Sequence, residues 1–159
     1  MTAEERRSLD VQIRSYPGIE FAIGHASAQE IDQYNILKAT FLAMSRALAQ
    51  LPIPPELIIV DGSLAPSFGI PTLAFPKGDA LYSQISAASI LAKVARDQIM
   101  DELDLQYPQY KFREHRGYGT PDHLLAIEKY GPCAIHRKTF EPIAGLFRQT
   151  QLDLLDPIV

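Results

Sequence analysis

A chain of 159 residues with 47% hydrophobic and 21% charged residues is long enough to bury a core and too apolar for wholesale disorder. No apolar run approaches the length of a membrane span, and no signal-peptide pattern opens the chain, so neither a membrane protein nor an exported one is expected. The net charge of −4 argues against a general nucleic-acid glue, and Cys133, the single cysteine, rules out an intrachain disulfide and fits a reducing cytoplasm.

Taken in order, Thr2-x-x-Glu5 is a capping box, so a helix is expected at once, with Leu9, Ile13 and Tyr16 as its apolar face and Pro17-Gly18 as its stop. Phe21-Ala22-Ile23 reads as a short strand. Ser27-x-x-Glu30 is a second capping box. It opens a helix to about Gln50, with Ile31, Tyr34, Leu37, Phe41, Met44 and Leu48 turned inward. Asn35, beside that stripe, is expected to bond a neighbouring backbone group. Pro52, Pro54 and Pro55 stiffen the entry to a strand over 57–61, whose apolar run suits burial on both faces. That strand ends in Asp61-Gly62. An acidic residue at the carboxyl end of a strand is how open α/β sheets place chemistry in a crevice. The same pair is also a common turn. Residues 71–76 form a further strand, placed at a sheet edge by its flanking prolines. Lys77-Gly78-Asp79 is a turn signal.

The run 84–103 reads as a helix on which Ile90, Val94 and Asp97 fall in line, so Asp97 lies among apolar residues. An ion pair with Lys93, one turn back, is the simpler role for it. Two carboxylates set against apolar neighbours begin a site for a hard divalent cation. A loop-rich tract over 107–119 follows, then a helix opened by Thr120-Pro121 and closed by Gly131-Pro132. Between Lys111 and Lys138 there are six Lys or Arg against three acids, and His115, His123 and His136 add donors. This is either a solvated surface or a basic face suited to a phosphate backbone. His136-Arg137-Lys138 is a compact cation cluster with Phe140 expected beneath it. A last helix beyond Pro142 would use Ile143, Leu146 and Phe147; the tail from 149 carries no functional pattern.

The run KGDALYSQISAASILAKVARDQIM, followed by YPQYKFREHRGYGTPDHLLAIEKYGPCAIHRKTFEPI, resembles the ribonuclease HII family, the type 2 ribonucleases H. The segment Glu30-Ile31-Asp32-Gln33-Tyr34-Asn35-Ile36-Leu37 and the strand ending Val60-Asp61-Gly62 match in the same order. The likeness covers most of the chain, and several long motifs in order are far more specific than one short pattern.

The resemblance implies a ribonuclease H-like mixed α/β sheet flanked by helices, forming one domain over 1–159, with 107–159 as a helical substrate-binding extension. It implies an endonuclease that hydrolyses the RNA strand, or embedded ribonucleotides, of RNA–DNA hybrids with Mn²⁺ or Mg²⁺. Asp61 and Asp97 would be two of four acidic ligands. Tyr118 would pack on the sugar next to the RNA–DNA junction, and Lys77, His115, Arg116, Arg137 and Lys138 would contact substrate. The family's opening D-E-A-G-R-G strand and D-S-K-K segment have no counterpart here. The expectation is therefore a chain that is marginal, rearranged or self-associating through an exposed sheet edge, with little activity. A nucleic-acid-binding remnant and a plain interaction domain are the alternatives.

Overall fold

The computed structural model describes residues 1–146 and 148. In chain order the elements are α1 (Ala3–Ser15), α2 (Ala28–Leu48), β1 (Ile58–Asp61), β2 (Thr72–Phe75), α3 (Gly78–Leu81) and α4 (Ser83–Gln106). A 3-10 turn (Pro108–Tyr110), α5 (Phe112–His115) and α6 (Pro121–Tyr130) follow. Residues 143–146 are helical; Phe147 and the tail from 149 lie outside the described residues. The chain divides into two compact units, Met1–His25 with Thr40–Met100, and Ala26–Ala39 with Asp101–Val159. The class is helix-rich α/β with a small parallel sheet and a helical carboxyl-terminal part, as the sequence leads one to expect.

In the first unit, the Thr2–Glu5 capping box forms in both directions and starts α1. The inward face of α1 is only partly the expected apolar one: Leu9 and Ile13 are half-buried. Asp10 is its buried residue, paired to Arg14 at 2.8 Å one turn on, while Tyr16 is exposed. Residues 21–23 carry no regular structure, which corrects the expected strand. Side chains from the end of α2 hold this stretch instead: Gln50 donates to the Ile23 carbonyl and Arg46 to the His25 carbonyl. Gly24 runs so close to α2 that a Cβ there would lie 1.9 Å from the Ala43 carbonyl oxygen.

Strands β1 and β2 pair in parallel, Ile58 with Thr72 through Asp61 with Phe75, and are the only two strands among the described residues. Ile58 and Val60 are buried whereas Ile59 is half-buried and Leu57 exposed, so β1 is packed chiefly on one face. The buried side chains of α4, namely Ile85, Ile90, Leu91 and Val94, complete the apolar core of this unit. Each contributes about 1.5–3 kcal/mol when fully withdrawn from water.

In the second unit, the Ser27–Glu30 box starts α2. That helix is broken at Asn35 (φ 69°, ψ 167°), whose Oδ1 accepts from the Lys38 N–H and caps the helical segment beyond the break. Of the expected inward stripe, Ile31, Phe41, Met44 and Leu48 are half-buried, whereas Tyr34 and Leu37, on either side of the break, are exposed and Ala39 is the buried residue. The core here is aromatic and imidazole: Phe112, Tyr110, His115, His123 and His136 are all buried, with Ile127 and Ile143 beside them. Tyr110 and Phe112 stack at 5.4 Å, and the Tyr110 hydroxyl donates to the Gly131 carbonyl at the end of α6.

Candidate active site and nucleic-acid face

Because β1 and β2 run parallel, their carboxyl ends lie at one edge, which carries Asp61, Lys77 and Asp79. Asp61 ends β1 with its side chain exposed. Gly62 follows at φ +122°, a conformation open to glycine but strained for other residues, and its N–H extends the ladder to the Phe75 carbonyl. Beyond β2, Lys77 adopts a left-handed conformation and starts the short α3. The next N–H, that of Gly78, donates to Asp61 Oδ1 at 2.8 Å. A Cβ on Gly78 would meet Ile85 Cδ1 at 2.7 Å and Phe75 Cβ at 3.3 Å, so only glycine brings this backbone up to the carboxylate without displacement.

Asp79 is the next residue along and is exposed. Bond lengths alone keep its Cα within about 8 Å of Asp61 Oδ1. The sequence reading of 77–79 as a turn with Lys77 as its candidate contact does not single out Asp79. The available signal was an acid just past a second strand parallel to the first, since parallel neighbours end at the same edge.

Asp97 continues the buried stripe of Ile90 and Val94 on α4, with its side chain 26% exposed. Its Oδ2 lies 3.4 Å from Arg6 Nη2 of α1, a partner the sequence did not suggest. Ile85, near Gly78, and Asp97 are separated by about 18 Å of helical rise. Asp61 and Asp97 thus have separate partners. Among the described residues no three His, Cys, Asp or Glu side chains converge as a metal cluster.

In the second unit, Tyr118 is 65% exposed at the end of a left-handed Arg116-Gly117 turn. Its carbonyl accepts from His123 Nδ1, which fixes the turn from below. Arg116 is turned to Asp101, 2.6 Å from its Oδ1, and Arg113 shares the same carboxylate at 3.2 Å. These pairs draw two of the six counted cations onto acids outside the 111–138 segment, so the local basic excess is smaller than the sequence tally. They also hold the Asp101 carboxyl below the usual carboxylate range: burial raises it, and the bonds and charges of Arg116 and Arg113 outweigh that.

His115 is 7% exposed, and both its ring nitrogens meet backbone groups, Tyr110 O at 2.7 Å and Gly117 N at 3.2 Å. This corrects its expected place among the substrate contacts: it is a core residue. His123 and His136 are buried beside it, with their Nε2 atoms 3.1 Å apart. Burial pushes both imidazoles down, His136 to about 4. Of the expected cluster His136-Arg137-Lys138, His136 is therefore a buried neutral ring and not one of its cations, while the Arg137 guanidinium lies 3.8 Å above the Phe140 ring, as expected. Asp32 accepts from the Lys138 and Thr139 N–H groups at 2.8 and 2.9 Å.

The fold has a solved counterpart. The crystal structure of the ribonuclease H2 from Pyrococcus horikoshii OT3 superposes with a TM-score of 0.72, covering 95% of this chain and 79% of that one at 22% identity. The sequence relatives go further. The family model for ribonuclease HII matches residues 1–143. Ribonuclease HII of Bordetella pertussis (strain Tohama I) is 51% identical over 143 residues, which is 90% of this chain and 71% of the relative. Ribonuclease HII of Albidiferax ferrireducens is 48% identical over 149 residues, covering 94% and 72%. The chain belongs to the ribonuclease HII family, a family of hydrolytic endonucleases. No helix among the described residues is long and apolar enough to cross a membrane.

Proposed function

We propose that this chain binds RNA–DNA hybrids, or DNA carrying embedded ribonucleotides, and hydrolyses the RNA phosphodiester at the edge where β1 and β2 end. The observation that carries this is the 2.8 Å bond from Gly78 to Asp61, which ties the two strand ends into one exposed acidic edge with Lys77 and Asp79 on it. Membership of the ribonuclease HII family supports the reaction class.

The donors at this edge are carboxylate oxygens, which suit Mg²⁺ or Mn²⁺. One or two carboxylates together with substrate phosphates are a usual way to hold Mg²⁺, so Asp61 and Asp79 fit the role. A bound ion of this kind supplies an activated water and neutralises charge on the scissile phosphate. Asp61 is oriented for this by Gly78, and Lys77 would meet a neighbouring phosphate. Asp97, the second acid expected from the sequence, is assigned to the Arg6 pair instead. In the second unit, the tract from 107 onward would supply the nucleic-acid face. Tyr118 would stack on the sugar or base at the RNA–DNA junction, and Arg137 and Lys138 would take phosphates. Arg116 would act only by shaping the turn that carries Tyr118. A cytoplasmic location and self-association along the outer side of β1 belong to the same proposal; light scattering tests the latter.

The test is cleavage of a duplex containing one ribonucleotide, with Mg²⁺ or Mn²⁺ titrated in. Cleavage that Asp61→Asn and Asp79→Asn abolish, and that Asp97→Asn leaves metal-dependent, is the expected result. A second reading is binding without turnover, through Tyr118 and the cations that follow Cys133. Salt-dependent hybrid binding with no cleavage in either metal would establish that one. Absence of both binding and cleavage would refute both.

A further inference from the structure

We propose that Asp32 is a positioning residue for nucleic-acid binding, whose carboxylate fixes the backbone of 138–139 so that Arg137 and Lys138 present their charges to a phosphate backbone. The inference rests on the proposed hybrid binding and adds to it a residue that never touches substrate.

Asp32 uses both carboxylate oxygens on a segment more than a hundred residues away. Oδ2 accepts from the Lys138 N–H at 2.8 Å. Oδ1 accepts from the Thr139 N–H at 2.9 Å and from the Thr139 hydroxyl at 2.7 Å. Two consecutive N–H groups aimed at one carboxylate set the orientation of two successive peptide planes, and those planes determine where the flanking side chains start. On one side the Arg137 guanidinium rests on the Phe140 ring. Further back, Gln29, one turn before Asp32 on α2, donates to the Ala134 carbonyl at 3.2 Å. One face of α2 thus ties the loop down at both ends of the cation cluster. A carboxylate next to a phosphate-binding cluster would ordinarily repel the ligand. Here its oxygens are turned to backbone donors, and these bonds, with the charge of Lys138, keep it ionised against the opposing effect of burial. Cations on a loop held in place bind a polyanion without first having to be ordered.

The test uses the full chain and a fluorescein-labelled RNA–DNA hybrid, with anisotropy read across a series of NaCl concentrations. Four proteins are compared: the unsubstituted chain, Asp32→Ala, the pair Arg137→Ala with Lys138→Ala, and all three together. Asp32→Ala is expected to weaken binding about tenfold, the scale of losing hydrogen bonds to a charged group. Its salt dependence should flatten toward that of the Arg137/Lys138 pair. Adding Asp32→Ala to that pair should cost nothing further, because it acts through them. A loss that adds in full on the pair, or Asp32→Ala binding like the unsubstituted chain, overturns the proposal and leaves hybrid binding standing. If Asp32→Ala does not fold by circular dichroism, Thr139→Ala removes only the hydroxyl bond. It should weaken binding about threefold with the same non-additivity, and unchanged affinity overturns the proposal. If the unsubstituted chain binds no hybrid at low salt, this inference and the function beneath it fall together.

Discussion

The imidazoles in the second unit make its stability depend on pH in a direction and over a range that their hydrogen bonds determine. Each ring has a definite tautomer. His123 Nδ1 donates to the Tyr118 carbonyl, so its Nε2 must accept. The partner on that nitrogen is His136 Nε2, 3.1 Å away, which must therefore donate. His136 Nδ1 is then left to accept from the Cys133 N–H at 2.9 Å. A second proton on His136 would point its Nδ1–H at another N–H, and one on His123 would do the same at His136. Both rings are held neutral, and burial is the leading cause of the fall of His136 to about 4 from 6.5.

In the unfolded chain this histidine takes its proton near pH 6.5, so the unfolded state binds more protons between 6.5 and about 4. Stability from this group is complete above pH 6.5, falls as the pH drops toward 4, and is flat below. The full loss is about 3 kcal/mol, most of which should be gone by pH 4.5. The lowered His123 adds to the loss in the same direction, and the two titrate as a pair. The perturbation is His136→Gln, which keeps a donor toward His123 but does not titrate. Urea unfolding at pH 7.5 and 4.5, followed by tyrosine near-ultraviolet circular dichroism, reads Tyr107, Tyr110 and Tyr130 around the cluster. The variant should lose about 2 kcal/mol less than the parent on acidification. Equal acid losses in the two proteins would refute the tautomer argument.

Asn35 sits at φ 69° and ψ 167°, a region nearly reserved for glycine, while its side chain caps Lys38. Asn35→Gly should stabilise by about 1 kcal/mol in thermal unfolding, since glycine costs only tenths at a cap and removes the strain; Asn35→Ala should destabilise. Gly78→Ala should cost about 1–3 kcal/mol through its contacts with Ile85 and Phe75, and Ile85→Val, which deletes the contacting Cδ1, should recover part of that in the double variant. Asp101→Asn should change stability by less than about 1 kcal/mol, because the group is partly exposed. The same substitution should lower hybrid affinity in the anisotropy assay by loosening the Arg116 turn that carries Tyr118, and unchanged binding would contradict that role.

What could be read from the sequence was local. Both capping boxes form because each needs only side chains three residues apart, and β1 and β2 were visible as apolar runs closed by Asp-Gly and by prolines. Periodicity holds on α2 for Ile31, Phe41, Met44 and Leu48, which are half-buried, and fails for Tyr34 and Leu37 beside the break at Asn35, where a residue with positive φ interrupts the helix without changing the composition. His115 was counted as a surface donor because residue type says nothing of burial, and its burial comes from an aromatic cluster assembled across the second unit. Asp97 stands out because it lies in line with apolar residues; that alignment gives its depth on the helix and not its Arg6 partner, which comes from another helix. Convergence on a site depends on which strand ends come together, and the parallel pairing that favours Asp79 was not legible in any single stretch.

The acidic balance of the chain looks unfavourable for a polyanion ligand until its carboxylates are followed to their partners. Asp32 and Asp101 are not spread over a repelling surface. Each accepts hydrogen bonds from the segments that carry the basic residues, Asp32 from the backbone of 138–139 and Asp101 from Arg113 and Arg116. The two uses differ in consequence. Asp32 takes backbone N–H groups and leaves the neighbouring cationic heads to their own contacts, whereas Asp101 takes the guanidinium heads themselves. One acid therefore orients charge and the other consumes it. Long-range attraction should be weak in such a chain, and recognition should depend on the few cations whose backbone is held, together with the exposed ring of Tyr118.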